Sequence, residues 1–296
     1  MAALRTGFIG LGTMGAPMAW RINDGGHLTA VYNRSPETTA AFAEAGISVA
    51  GTPAELASGV NAVVVMVSDD AALDAVFSGE DGALAGVGSG TLVINMSTVS
   101  REANLDLAAR VREAGGRFLE APVSGTRKPA EDGNLTILAA GAAEDLEAAQ
   151  PLFDLMGKAT VNCGDLGQGM DTKHAVNLLL SSMMQGFCEA LVFGGKRGVS
   201  PDTIIEAITT GATNSPLYNL KGKAIRAGNF DKQFPVKLLL KDLDLVLQAG
   251  RESGVYLPLT ATARECVSAA NAGGYGDEDM AAVVKLLEQV AGTQVH

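Results

Sequence analysis

The sequence predicts an α/β domain built on a doubly wound, mostly parallel sheet, followed by an all-α C-terminal domain. In the first half of the 296 residues, short β-branched runs alternate with alanine-rich helical stretches. That order is typical of parallel strands joined by crossover helices. After about residue 164 the strand-like runs end and helical patterns continue. We therefore place one domain at 1–164 and a second at 165–296.

Composition narrows the function classes. With 47% hydrophobic and 19% charged residues and a net charge of −11, the chain is a globular protein that lacks an overall basic face. Nucleic acid or an anionic membrane is therefore not expected as the main partner. The 3 cysteines and 3 histidines show no metal-ligand spacing, so we expect no metal site and free thiols in the cytoplasm.

Elements of the first domain follow from apolar runs and the segments between them. The predicted strands are 6–9, 28–33, 62–67, 92–96, 117–120, 135–139 and 161–163, and the predicted helices include 16–24, 36–45 and 101–114. The run at 62–67 is apolar without alternation. A sheet that is covered on both faces requires such strands.

The second domain opens with one long helical pattern at 169–196, apolar around its whole circumference. Because its apolar stretch contains Asn177, Gln185 and Glu189, we expect a buried helix and not a membrane span. Ser200 and Pro201 are typical of a helix start. Further helices are predicted at 215–227, 236–252, 259–272 and 280–290. A long helix of this kind commonly also joins subunits, so we expect a homodimer or homotetramer.

A G-x-G-x-x-G pattern occupies residues 10–15, between the first predicted strand and the first predicted helix. In a Rossmann domain Gly10 would permit the tight turn, Gly12 the approach of a pyrophosphate, and Gly15 close packing of helix on sheet. The helix N-terminus favours phosphate. The predicted dinucleotide-binding residues of this loop are Gly10, Gly12, Thr13, Met14 and Gly15.

The end of the second strand selects the dinucleotide. An NAD site usually has a carboxylate there for the ribose 2′-hydroxyl, whereas this chain has Asn33, Arg34 and Ser35. Arg34 can bind a 2′-phosphate and stack on adenine. We therefore predict NADP, with an ordinary exposed arginine as the alternative.

Three polar segments interrupt otherwise apolar structure. In the segment 120–133, Ser124 and the following amides can hold a substrate carboxylate, and Arg127 or Lys128 can add positive potential. A loop without a ligand is the alternative. In the segment 234–242, charged residues on a solvated helix face are the simpler interpretation.

The third polar segment, 167–177, places Lys173 and Asn177 four residues apart and so on one helix face. A lysine at the start of an apolar helix is costly to desolvate unless it has a role or a partner. Lys173 could donate a proton to a carbonyl oxygen that accepts a hydride, with Asn177 holding lysine or substrate. A lysine that extends to solvent is the alternative.

Four motifs in order resemble the β-hydroxyacid dehydrogenases, the 3-hydroxyisobutyrate dehydrogenase family. They are the Gly-rich loop at 10–19, Pro-Val-Ser-Gly at 122–125, the pattern Gly167-x-Gly169-x-x-x-Lys173-x-x-x-Asn177, and Lys-Asp-Leu at 241–243. The segments 124–133 and 33–35 are most similar to the glyoxylate/succinic semialdehyde reductase branch.

The resemblance implies a role for each matching residue. Lys173 would be the general acid/base and Asn177 would position substrate; Ser124, Gly125 and Thr126 would hold the substrate carboxylate. Thr98 would lie by the nicotinamide, Lys241 would close over the cofactor, and Phe234 and Asp242 would line the site. Thr126-Arg127 departs from the serine-lysine expected in this branch, which leaves the substrate open.

The expected function is NADPH-dependent reduction of glyoxylate or succinic semialdehyde to the hydroxy acid. An NAD-dependent 3-hydroxyisobutyrate or tartronate semialdehyde enzyme is the nearest alternative. A non-catalytic dinucleotide-binding module is the alternative of another class.

Overall fold

The apolar runs form one nine-stranded sheet in the computed structural model, which describes residues 4–296. Its strands are β1 (Thr6–Ile9), β2 (Leu28–Tyr32), β3 (Ser48–Val49), β4 (Ala62–Val65), β5 (Leu92–Asn95), β6 (Arg117–Glu120), β7 (Val123–Ser124), β8 (Leu135–Ala140) and β9 (Gly157–Gly164). The predicted fold class is confirmed.

Six strands run parallel in the order β3-β2-β1-β4-β5-β6. The order reverses between β1 and β4, which is where sheets of this kind bind ligands. β8 is antiparallel to β6 and β7, and β9 pairs parallel to the other side of β8. β9 is the outer strand and carries exposed positions along most of its length.

Helices cover both faces of the sheet. They are α1 (Gly15–Asp24), α2 (Ala40–Glu44), α3 (Pro53–Ser58), α4 (Asp70–Phe77), α5 (Ala83–Gly86), α6 (Arg101–Glu113), α7 (Arg127–Glu131) and α8 (Ala143–Met156). Val64 packs with Met18 and Phe153 on one face, whereas Val63 packs with Phe77 and Val111 on the other. Both cores are therefore apolar, as the unalternating strand β4 predicts.

Four elements differ from the sequence predictions for local reasons. β3 and β7 have two residues each, too few for a periodic signal. α8 continues past Pro151, a residue that usually ends a helix. The predicted helix 36–45 is a 3₁₀ helix, Pro36–Thr39, that leads into α2.

The remaining helices are α9 (Gln168–Lys196), α10 (Pro201–Thr210), α11 (Pro216–Arg226), α12 (Val236–Ser253), α13 (Pro258–Ala270) and α14 (Val283–Ala291). Residues 165–296, all of them described, contain no strand, as predicted. Ser200 caps α10 by accepting from the amide of Thr203, also as predicted. Backbone contacts divide the chain into two units, Met1–Lys173 and His174–His296, and the predicted boundary at 164 precedes α9.

The second unit has its own core and a buried ion pair. Phe187, Leu191 and Leu243 belong to that core. Lys221 Nζ lies 2.7 Å from Asp279 Oδ1, with side chains 3% and 4% exposed. Two charges at this depth must remain together, because either one alone is costly to bury.

α9 is long and apolar enough, by length and composition, to cross a membrane. Its most apolar 18-residue stretch has a mean hydropathy of 1.4, and 44% of that stretch is buried within the protein. Core helices of soluble proteins meet the same criterion, and α9 contributes Met184, Phe187, Cys188 and Leu191 to the core of the second unit.

Candidate active site

Main-chain pairing brings the ends of five strands to one edge of the sheet. Ile9 is level with Tyr32 and with Val65, Val65 with Asn95, and Asn95 with Glu120. The loops that follow these strands carry the predicted cofactor and substrate residues of the first unit. They therefore lie side by side along the carboxyl edge.

The backbone requires glycine at two positions of the loop 10–15, and a third glycine borders open space. Gly10 has φ +95°, in the left-handed region. A Cβ on Gly15 would lie 1.8 Å from the carbonyl oxygen of Gly10, so only glycine lets α1 pack this closely. A Cβ on Gly12 would have no protein atom within 4 Å. The space above Gly12 fits a ligand group, and α1 has no side-chain cap at Met14 that would compete with a phosphate.

The end of β2 braces the glycine loop. Asn33 Oδ1 accepts a hydrogen bond from the amide of Leu11 at 2.9 Å, and its Nδ2 donates to Thr38 Oγ1 at 2.7 Å. Arg34 and Ser35 are exposed. Asn33 therefore stabilises the glycine loop at 10–15 through a hydrogen bond, while Arg34 remains accessible for a ligand.

The loop after β5 is held by buried polar groups. Ser97 is 0% exposed, and its Oγ accepts from the amide of Val67 at 2.9 Å. Its own amide donates to Asn95 Oδ1 at 3.0 Å. These bonds fix the main chain on either side of the half-buried Thr98.

The predicted carboxylate loop leaves the short strand β7. Ser124 pairs with Thr136 of β8, and Gly125 has φ +144°. Arg127 Nε is 2.8 Å from Glu131 Oε1, and Lys128 pairs with Asp132 in the same way on α7. Both cations are exposed and pair with acids of their own helix, which reduces the positive potential expected from them.

The start of α9 is attached to the end of β6. Glu120 Oε1 accepts from the amides of Gly167 and Gly169 at 2.7 and 2.8 Å. A Cβ on Gly169 would lie 3.0 Å from this oxygen, and one on Gly167 2.5 Å from Arg101 Cζ. The Gly-x-Gly spacing therefore leaves room for the carboxylate and the guanidinium group of Arg101, which pairs with Asp171.

Lys173 and Asn177 are both buried on α9, one helical turn apart, with 7% and 0% exposure. In the second unit, Asn177 Nδ2 donates to Asp242 Oδ2 at 2.6 Å. Asp242 is 3% exposed, and its Oδ1 lies 2.7 Å from Lys241 Nζ. Asn177 Oδ1 is a buried acceptor without a hydrogen-bond partner in the described part of the chain.

Phe234 is held by the buried ion pair. Its amide donates to Asp279 Oδ2 at 3.1 Å, and its carbonyl oxygen accepts from the amide of Met280 at 2.8 Å. The half-buried ring packs against the core of the second unit. Lys221 and Asp279 thus fix the segment that leads into α12, the helix of Lys241 and Asp242.

Two family models cover nearly the whole chain. The model for the NAD binding domain of 6-phosphogluconate dehydrogenase matches residues 5–164, and that for the NAD-binding domain of NADP-dependent 3-hydroxyisobutyrate dehydrogenase matches residues 167–287. The first alone spans more than half of the chain. The chain belongs to the β-hydroxyacid dehydrogenase family.

Individual members of this family match over nearly their full length. Glyoxylate/succinic semialdehyde reductase 1 of Arabidopsis thaliana is 37% identical, over 96% of this chain and 99% of that protein. 2-(Hydroxymethyl)glutarate dehydrogenase of Eubacterium barkeri is 35% identical, over 99% and 98%. The crystal structure of a 3-hydroxyisobutyrate dehydrogenase from Salmonella typhimurium is 27% identical, with a TM-score of 0.85 over 95% and 99%.

This β-hydroxyacid dehydrogenase is therefore an oxidoreductase that uses a nicotinamide dinucleotide. The open space above Gly12 and the uncapped start of α1 fit that cofactor. The sequence predictions gave no role to Asn95, Asn104 or Glu120, which form a buried chain of hydrogen bonds in the first unit. The single available signal was a carboxylate at the end of an apolar strand.

Substitutions of Gly12 and Gly15 should have different effects, one on dinucleotide binding and the other on stability. Gly12→Ala should leave the free energy of unfolding within about 0.5 kcal/mol, because its methyl group enters open space. The same methyl group should weaken NADPH binding at least about tenfold by occupying the phosphate position. Gly15→Ala, the matched control, should instead destabilise the fold by roughly 1–3 kcal/mol. Urea unfolding and fluorescence titration measure the two effects; unimpaired NADPH binding by Gly12→Ala would contradict the assignment.

Proposed function

We propose that this β-hydroxyacid dehydrogenase reduces a short aldehyde acid, glyoxylate or succinic semialdehyde, to the corresponding hydroxy acid with NADPH, and that Lys173 donates the proton. The observation that carries the proposal is the burial of Lys173, which is 7% exposed at the start of α9. Lys173 belongs to one of the four family motifs, the one at 167–177. The 37% identity to a glyoxylate/succinic semialdehyde reductase supports the substrate class.

In the proposed reaction, residues of the first unit hold the pyrophosphate, the substrate carboxylate and the proton donor. When bound, the dinucleotide supplies the hydride. Ser124 Oγ and the amides of Gly125 and Thr126 donate hydrogen bonds to the substrate carboxylate. These bonds hold the aldehyde group in a single orientation. Lys173 Nζ donates a proton to the carbonyl oxygen as negative charge develops there.

The remaining site residues keep the roles that the family resemblance implies. Asn177 positions the substrate. Its Nδ2 already donates to Asp242, whereas its Oδ1 has no hydrogen-bond partner among the described residues and can accept a bond from a ligand. By the same resemblance, Asp242 and Phe234 would line the substrate, Thr98 would lie by the nicotinamide, and Lys241 would close over the cofactor. Main-chain amides of residues 10–15 bind the pyrophosphate.

The choice of NADPH rests on the end of β2. No carboxylate follows Tyr32 in the segment 33–35 that could repel a 2′-phosphate, and the exposed Arg34 can bind one. The description of the second matching family model, an NADP-dependent enzyme, is consistent with this choice.

We also propose that the protein is a homodimer or homotetramer in the cytoplasm. Phe193, Leu179 and Val290 of the second unit are 72%, 58% and 81% exposed, which is costly for large apolar side chains unless another surface covers them. The three cysteines are free thiols, as a reducing compartment requires. A monomeric mass by light scattering at micromolar concentration would contradict the oligomer, and recovery outside the cytosolic fraction would contradict the location.

A substrate panel tests the reaction. Glyoxylate, succinic semialdehyde, methylmalonate semialdehyde and tartronate semialdehyde are each offered with NADPH and with NADH, and kcat/KM is measured for the eight pairs. We expect the highest values for glyoxylate or succinic semialdehyde with NADPH. A preference for methylmalonate or tartronate semialdehyde with NADH would favour the alternative enzyme, and no turnover of any pair would favour a binding module.

Lys173→Ala removes the proposed proton donor. We expect kcat to fall about 10²- to 10⁴-fold, the usual contribution of general acid catalysis, while NADPH still binds. Lys158→Ala on the outer strand β9 is the control, because its side chain is exposed. Turnover near that of the parent would exclude Lys173 as the donor.

Arg34→Asp reverses the charge at the proposed 2′-phosphate site. The KM for NADPH should rise far more than the KM for NADH, because only the former carries the phosphate. Arg5→Asp is a matched control: Arg5 is exposed and precedes β1, at the opposite edge of the sheet. Equal increases in both KM values would refute the assignment of NADP.

A further inference from the structure

A chain of buried polar side chains ends on Glu120. Asn95, Asn104 and Glu120 are each 0% exposed. Asn95 Nδ2 donates to Asn104 Oδ1 at 3.0 Å, and Asn104 Nδ2 donates to Glu120 Oε2. The chain therefore links the loop after β5 to the end of β6.

Every hydrogen bond in this chain points toward Glu120. The main-chain amide of Ser97 can only donate, so it fixes Asn95 Oδ1 as an acceptor and thereby orients both amide groups. The other carboxylate oxygen receives the amides of Gly167 and Gly169. The hydrogen-bond partners of Glu120 among residues 4–296 are all donors, whereas a protonated carboxyl group would need an acceptor. The network therefore matches an ionised Glu120.

We propose that Glu120 is a positioning residue for Lys173. Its ionised carboxylate holds the first turn of α9 through Gly167 and Gly169, and Lys173 follows Gly169 by four residues, about one helical turn. A shift of this turn would displace the lysine Nζ from the carbonyl oxygen. This role depends on the proton donation proposed above for Lys173.

Burial and the neighbouring charges shift the titration of the Glu120 carboxyl group toward neutral pH. Burial raises the pKa of Glu120 to about 7, and Asp171 adds to the rise, whereas the two glycine amides and Arg101 oppose it. The half-buried Cys163 thiol also has a raised pKa, mainly because it is desolvated, and the Glu120 charge adds to the rise.

The sign of the effect follows from the raised pKa. A carboxyl group whose pKa lies above 4.5 in the folded state contributes stability in its protonated form, and that contribution is lost as the pH rises through about 7. The ionised form that matches the network therefore predominates above about pH 7 and becomes the minor form below it. Turnover should fall on the acid side of about pH 7.

The test moves the carboxylate from Glu120 to its hydrogen-bond partner Asn104. Glu120→Gln keeps the size but places an NH₂ group against Asn104 Nδ2, and reversing the amides would set Asn95 Nδ2 against the amide of Ser97. Glu120→Gln combined with Asn104→Asp restores a complete donor-acceptor pattern, since the new carboxylate accepts from both neighbours. Glu113→Gln, at an exposed position at the end of α6, is the control.

We expect the single variant to lose roughly 10- to 100-fold in kcat, as misplaced catalytic groups do, and to lose the acid limb near pH 7. The double variant should recover most of kcat, with NADPH affinity close to that of the parent. Hydrogen exchange of the peptide 165–173 should be faster in the single variant and restored in the double variant.

Two results would overturn the role. One is a parent-like kcat, pH profile and hydrogen exchange for Glu120→Gln; the other is an equal loss in the single and double variants. Failure of the proposed function is distinct, because it appears as unimpaired turnover in Lys173→Ala. Hydrogen exchange at 165–173 still reports on Glu120 in that case, since it does not depend on turnover.

Discussion

The register of five parallel strands determines where the loops with the candidate cofactor residues of the first unit begin. Main-chain hydrogen bonds keep Ile9, Tyr32, Val65, Asn95 and Glu120 level, so the loops that follow them begin at the same height. A slip of one residue in any pair would exchange side chains between the two closely packed cores and misplace the loop. The two apolar cores on opposite faces of the sheet enforce this register. Packing of the two cores therefore fixes the positions of the loops at the carboxyl edge of the sheet.

Polar groups inside the protein add a second level of order. Asn33 supports the glycine loop, Ser97 and Asn95 hold the loop after β5, and Glu120 attaches α9 to β6. Each of these bonds joins a side chain to a main-chain amide, so it positions the backbone and leaves other side chains available for chemistry. The second unit follows the same rule, because Asp279 binds the amide of Phe234 while it pairs with Lys221.

The sequence predicted what is encoded locally. The glycine loop, the unalternating strand β4 and the Ser200 cap depend on residues close together in the chain, and their signals were sufficient. The Glu120 network was missed because its partners are separated by 9, 16, 47 and 49 residues, and no periodicity relates them. α8, which contains Pro151, was not among the helices named from the sequence. The assigned roles of Lys173, Asn177, Ser124, Arg34 and Asp242 stay predictions.

The outer strand β9 bears on self-association. A free strand edge offers unpaired amides and carbonyls to another molecule and so invites aggregation. Here the edge carries an exposed lysine, Lys158, and its pairing with β8 is interrupted by irregular register near both ends. Charge and local distortion of this kind oppose edge-to-edge addition of strands. Edge-to-edge addition of a second copy at β9 is thereby disfavoured, even though five of its eight residues are exposed.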